Sequence, residues 1–364
     1  MPNSAVKRLC TVFAVACLCA VVYAADAHGL LEPLQHGREI FQKHCALCHG
    51  ADAKGTGQLA ATLPRKPANL TDCRLTAEDS VEVIQGVIRH GGSYVGRSPV
   101  MPAWQGTLSE AEIADVAAYV KSLCTDPNWL PSDLNFPRPL ITGKAFPDQE
   151  LIVGGRFARD RRDVTELFGV MDYRVDGLTS VEIKVRGLFR DPDTAPNHTG
   201  LGDTALSVKR VVAYSVERRA LASLGFEVSL PTGREPNGLG DGEVVWEPNV
   251  RAGWDWNQFV TQGAARLLFP QTSSNINSKV RYDVAFGRYF QPDPRLIITP
   301  MVEFNTESRI SGPLKGVTIS NVLPEVRVQW LRWSMGVGVQ MPISHLKDFD
   351  YRPLFDIIYE YILP

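Results

Sequence analysis

Residues 44–50 read HCALCHG, and three of them, Cys45, Cys48 and His49, combine reactive types with a telling spacing. Two thiols three residues apart fall within one helical turn, so both can add to the vinyl groups of a single porphyrin. The adjacent imidazole then meets the iron. On an exported chain this C-x-x-C-H pattern reads as covalent attachment of a c-type haem, with Cys45 and Cys48 as thioether links and His49 as proximal ligand. A zinc site would need a second ligand pair of comparable spacing, whereas Cys73 and Cys124 stand isolated. A thioredoxin-like pair would need a βαβ setting, which the surrounding pattern does not supply. The motif occurs once, so one haem and one-electron chemistry are expected.

The iron also needs either a sixth ligand or an open position. In SPVMPAW, Met101 sits in a Pro-bounded loop, extended before Pro102, that follows a Gly-rich turn and precedes a helix. A thioether there completes His/Met ligation, which raises the reduction potential and closes the site to small ligands. A Met that only fills core space is the alternative. His90 and His44 are competing nitrogen ligands, each more readily read as solvated or hydrogen-bonded, and His44 directly precedes Cys45.

Two helices must hold these groups. LSEAEIADVAAYVKSL opens with a capping box, Ser109 with Glu112, and a hydrophobic staple of Leu108 with Ile113. Its Ile113, Val116, Ala117 and Val120 make one apolar stripe. In HGREIFQKHCALC, Gly37 permits close backbone approach and Phe41 offers an aromatic contact on the haem side. With Gly37 and Phe41 before CALCHG, the MPAW loop and a last helix carrying Tyr119, residues 35–124 resemble the class I single-haem cytochromes c. The resemblance implies an all-α fold whose first and last helices cross at the glycine and aromatic pair. It also implies Cys45 and Cys48 as thioether links, His49 as proximal ligand and Met101 as distal ligand.

The N-terminus has Lys7 and Arg8, an apolar run from Leu9 to Tyr23, and Ala24 and Ala25, the layout of a secretory signal over residues 1–25. An uncleaved anchor or lipid attachment at Cys17 are the rival readings. The chain has 7 cysteines, of which Cys10, Cys17 and Cys19 lie in that segment. Export makes a Cys73–Cys124 disulfide plausible, two buried thiols being the alternative. At 364 residues the chain has room for two domains, and a net charge of −2 gives no reason to expect a nucleic-acid partner. The haem domain is assigned to residues 26–124.

Residues 125–149, dense in Pro and without period, read as an extended connector. From residue 150 to 364 the period becomes two. Val280, Tyr282, Val284 and Phe286 alternate with charged or small residues, as do Leu206 and Val208, and Trp333, Met335, Val337, Val339 and Met341. About 12 such segments of about 10 residues match transmembrane β-strands. Short joins (VDGL, QPDP, WLRW) take turns with long polar loops (DPDTAPNHTGLGD, PTGREPNGLGDG, PQTSSNINSK, SRISGPLKG), as in an outer-membrane barrel; a soluble β-sandwich would have no reason to alternate them.

The inward parity carries Glu182, Lys184, Arg186, Lys209, Glu227, Glu247, Arg251, Arg281, Asp283, Glu303, Glu325 and Arg327, a mixture read as a self-satisfied lumen with no catalytic group. Residues 130–364, FEVSLPTG and GLGDG above all, resemble outer-membrane β-barrel proteins fused to or encoded with a c-type cytochrome.

The expectation is therefore a multidomain protein: an all-α haem domain ahead of an all-β antiparallel transmembrane barrel. An even strand number puts both barrel ends, and hence the haem domain, in the periplasm. A unit of about 90 residues, with a radius of gyration near 13 Å, is too bulky for such a lumen and should sit at its mouth. The expected function is one-electron transfer at the outer membrane with periplasmic or extracellular redox partners, rather than enzyme catalysis. The alternative from another class is a solute-transport barrel with a redox-sensing haem domain, and an open-site haem reductase or peroxidase ranks third.

Overall fold

The computed structural model describes residues 28–364 apart from 78, 127, 160–161, 193–197, 273–276 and 362–364. The segment read as a secretory signal lies outside the described residues.

The first unit is helical. Helix α1 (His28–His44) runs into the short α2 (Ala46–His49), followed by α3 (Cys73–Thr76), α4 (Val81–His90) and α5 (Glu110–Ser122). Helix α5 begins as its sequence dictates: the Ser109 hydroxyl accepts from the Glu112 N–H at 3.3 Å, and the Ser109 N–H donates to the Glu112 carboxylate at 2.8 Å. The staple residues Leu108 and Ile113 are buried with Val116, Ala117 and Val120 against Ile40 and Phe41 of α1. Gly37 is required at this crossing, because a Cβ there would lie 2.1 Å from the Asp115 carbonyl oxygen of α5. A bond between Cys73 and Cys124, with Cα atoms 4.9 Å apart, ties α3 to the chain just after α5.

The second unit is a closed antiparallel sheet. Its strands are β1 (Glu150–Ala158), β2 (Arg162–Asp176), β3 (Thr179–Pro192), β4 (His198–Leu201), β5 (Thr204–Ser215), β6 (Ala220–Leu230), β7 (Val245–Trp256), β8 (Phe259–Pro270), β9 (Lys279–Arg288), β10 (Phe290–Asp293), β11 (Leu296–Arg309), β12 (Thr318–Trp330), β13 (Trp333–Pro342) and β14 (Arg352–Glu360). Each strand pairs with its sequence neighbour except at the short β4 and β10, where β3 pairs with β5 and β9 with β11. Closure comes from β1 pairing with β14, Glu150 opposite Glu360. Leaving β4 and β10 aside, 12 strands form the wall.

Strand parity sorts side chains as the alternation dictates. Leu206, Val208, Tyr282, Phe286, Met335 and Val337 face outward and are exposed, while Lys209, Asp283, Glu303 and Arg327 face the lumen and are buried. Trp254 and Trp256 (ring centroids 6.4 Å apart) and Trp333 and Tyr359 (4.7 Å) stand at the short-turn end of this apolar outer face. Amphipathic rings take that position at a membrane interface. The joins at 176–179, 216–219, 257–258 and 331–332 lie at the end where β1 starts and β14 finishes, and the long loops lie at the other. One connection departs from the alternation: β1 and β2 join through residues 159–161 alone, because β2 and β3 are 15 and 14 residues long and their pairing extends to Arg162 opposite Pro192.

The Pro-rich segment is extended apart from a 3-10 turn at Ser132–Leu134, but it does not act as a free connector. It enters the barrel from the short-turn end. Leu130, Leu134, Phe136, Ala145 and Phe146 are buried against Val211, Leu221 and Val260 of the wall. Its backbone is bonded by side chains from opposite sides of the lumen. Gln262 donates to the Pro137 carbonyl at 2.6 Å, Arg266 to Ile141 at 3.0 Å and Lys209 to Lys144 at 3.3 Å, while Arg327 donates to the Arg138 carbonyl. The Glu325 carboxylate accepts from the Leu140 N–H at 3.0 Å. The lumen charges are thus satisfied in large part by this segment rather than solely by one another. Composition pointed to a linker because bonds to main-chain groups leave no periodic trace in the sequence.

Candidate functional site

Helix α2 presents the attachment motif. Cys45 caps its start, Cys48 and His49 lie in its single turn, and the His49 N–H bonds back to the Cys45 carbonyl at 2.9 Å. Cys45 and Cys48 are free thiols, whereas Cys73 and Cys124 are joined to each other and have no sulfur to offer a metal. Burial pushes the Cys45 thiol up to about 12. As a free group it would stay protonated, a poor metal-binding thiolate and a suitable partner for a neutral thioether bond.

The His49 ring is set from behind. Its Nδ1 lies 3.2 Å from the Ala68 carbonyl, and because a carbonyl only accepts, Nδ1 carries the proton and Nε2 keeps its lone pair. Burial lowers the His49 pKa, which favours the neutral ring that a metal requires. Sequence reading did not single out Ala68. The only signal was its Pro-containing loop, RKPANL, which Gly55 allows to pack close, since a Cβ there would meet the Pro67 carbonyl at 2.3 Å.

Met101 packs against the same core as Cys45, Phe41, Ile88 and Trp104. Gly91 and Gly92 bring its loop in. The Gly92 N–H donates to the Met101 carbonyl at 3.1 Å, and a Cβ on Gly91 would come within 2.8 Å of that oxygen. Trp104 is anchored by its main-chain N–H, which donates to the Ile88 carbonyl at 3.0 Å. The competing histidines are engaged by other rings: His44 meets Trp104 edge-on at 5.3 Å, and His90 lies 4.7 Å from Tyr94. Phe41 lies between the His49 ring at 6.4 Å and Tyr119 at 5.4 Å, linking the motif to the α1–α5 crossing. Two free thiols one turn apart, a half-buried imidazole with one nitrogen held and the other free, and a thioether packed on the same core fit a covalently bound haem.

The helical unit rests on the short-turn rim of the barrel. The Tyr94 hydroxyl donates to Asp293 at 3.3 Å, and the Arg295 guanidinium lies 4.3 Å from the Tyr94 ring centre. Burial lowers the pKa of Lys121, whose ammonium donates to the Thr76 and Ala77 carbonyls at 3.1 and 3.0 Å and reaches the Ser132 hydroxyl at the start of the inserted segment.

Residues 32–120 match the family described as cytochrome C oxidase, cbb3-type, subunit III. Cytochrome c6 of Synechocystis sp. is 30% identical over 112 residues, which are 30% of this chain and 83% of that protein. The cbb3-type oxidase subunit CcoP of Rhodobacter capsulatus is 38% identical over 94 residues, 24% of this chain. The chain spans only 28% of that subunit's length. Among solved structures, the KdgM porin aligns over 58% of this chain and 99% of its own, with a TM-score of 0.40 and 11% identity. An outer membrane channel from Pseudomonas putida F1 aligns over 62% and 100%, with a TM-score of 0.44 and 10% identity. Through residues 32–120 the chain belongs to the cytochrome c family, with that domain fused ahead of a closed β-barrel of 12 strands.

Proposed function

We propose that the protein transfers single electrons through one covalently bound c-type haem, held at the periplasmic face of an outer membrane by its barrel. Cys45 and Cys48 form the two thioether links, His49 Nε2 is the proximal ligand and Met101 the distal one. The observation that carries this reading is the pairing of two free thiols in α2 with an imidazole whose Nδ1 is held by the Ala68 carbonyl. Bound there, the haem supplies an iron that alternates between two oxidation states. The chain's residues fix the ring orientation, and Phe41, Ile88, Ile113 and Trp104 surround the site with apolar groups, which limits water access and raises the potential together with the thioether.

Even strand number and short turns at the haem-domain end support a periplasmic position for that domain. The outward apolar face and its aromatic residues support the lipid setting. The segment inside the lumen weighs against the transport alternative, since side chains from several walls bond its backbone where a solute would pass. A tethered carrier meets its redox partners at high local concentration, which a diffusing one does not. The test is a pyridine haemochrome and a reduced-minus-oxidised spectrum on isolated outer membranes. One low-spin c-type haem per chain is expected; haem confined to the soluble fraction would contradict the reading.

A further inference from the structure

Above the inserted segment, toward the long loops, the lumen changes character. Near the segment, the lumen ion pairs are dry: Arg138 meets Asp148 at 2.8 Å and Glu150 at 3.0 Å, Lys144 meets Asp148 at 2.7 Å, and Arg327 meets Asp356 at 2.9 Å. Four to six residues further along the strands, about 13–20 Å of strand length, the charges are wetter and unequally matched. There the Glu166 carboxylate is shared by Arg156 at 3.6 Å and Arg186 at 3.7 Å, with 23% and 29% of those cationic side chains exposed. Glu307 is shared by Lys279 at 3.0 Å, Arg281 at 2.8 Å and Arg309 at 3.9 Å. Arg309 also faces Asp348 of a long loop at 3.7 Å. Five cations on these two walls thus meet two strand carboxylates at ion-pair distance, with Asp348 on Arg309 and with Asp241 also near Arg186, Lys279 and Arg281. The buried Nε atoms of Arg156, Arg186 and Arg309 hold no hydrogen bond.

We infer that this vestibule, closed below by residues 130–149 and facing the long loops, is a binding site for multivalent oxyanions, carboxylate or phosphate, that enter from the loop side. Guanidinium groups present fixed pairs of donors that match both oxyanion geometries. An anion held between the two walls would meet the solvent-exposed part of the Arg156, Arg186 and Lys279 side chains. The inserted segment makes the site blind, so the ligand is retained rather than conducted. The inference stands independently of the haem assignment.

Equilibrium dialysis of the full-length protein in detergent, with labelled citrate and labelled inorganic pyrophosphate in separate arms, tests it. Saturable binding of at least one anion is expected, and the arm that binds tells carboxylate from phosphate preference. Arg156→Gln with Arg186→Gln on one wall, and Lys279→Gln with Arg309→Gln on the other, should each weaken it roughly tenfold or more. Lys66→Gln, an exposed position on the haem domain, should leave it unchanged. No saturable binding of either anion to the unaltered protein, or equal binding by it and both paired variants, would overturn the inference.

Discussion

Glu303, on the barrel wall, accepts the Ile141 N–H at 2.9 Å and the Thr142 N–H at 2.6 Å, joining β11 to the segment inside the lumen. The Thr142 hydroxyl bonds to the same carboxylate, and both residues are buried. A wall carboxylate that reads main-chain N–H groups holds the segment whatever its side chains are. Glu303→Ala strips these donors of their acceptor at a cost of about 1–3 kcal/mol for each donor left buried. The unaltered protein should be electrically silent in planar bilayers. Glu303→Ala with Glu325→Ala should show intermittent openings, and a silent double variant that still folds would refute the sealing role.

Replacing Met101 probes the iron's sixth position. Met101→Ala should lower the reduction potential by on the order of a hundred millivolts, within the ~0.8 V range that axial ligands span, and should admit carbon monoxide to the ferrous form. Potentiometric titration with optical detection measures both. An unchanged spectrum and potential would remove Met101 as a ligand.

Loss of the Cys73–Cys124 bond releases a loop with a sequence separation of 51 residues. Chain entropy puts the destabilisation of the haem domain at about 4 kcal/mol for the Cys73→Ser, Cys124→Ser pair. Denaturant unfolding followed by haem absorbance should report it, while the barrel's resistance to denaturant stays as before.

His36 adds a pH dependence to the α1–α5 crossing. Its Nδ1 lies 2.7 Å from the Asp115 carboxylate, and that bond raises the His36 pKa above the ordinary 6.5. Raised folded-state affinity for the proton means the stabilisation is complete below the unfolded value and fades as pH rises through the folded one. The ring is exposed, so the effect is small. Haem-domain stability should fall slightly from pH 6 upward, and His36→Gln should flatten that slope; an identical slope in the variant would count against the bond.

Much of this architecture was legible because each part leaves a local signature. The Ser109 and Glu112 box sets the start of α5, and strand parity divided lumen-facing from outward side chains correctly at Lys209, Tyr282, Glu303 and Met335. Gly37 and Phe41 were readable because a helix crossing needs both a missing Cβ and a large ring nearby. What escaped depends on main-chain groups. The Ala68 carbonyl behind His49 and the path of residues 130–149 through the lumen use backbone atoms that every residue type possesses, so no choice of side chain announces them. Proline density was read as spacing when it instead removes donors from a segment that must be buried in a polar lumen.

In the proposed function, one polypeptide carries both an irreversibly bound porphyrin and a lipid-embedded barrel. Electrophoresis of purified outer membranes, with and without heating in detergent and with in-gel haem staining, tests it most directly. A stained band that migrates fast when unheated, slows to the full-length position on heating and keeps its stain after acidic organic extraction is expected. A band whose stain is lost on extraction, or whose mobility ignores heating, would contradict it.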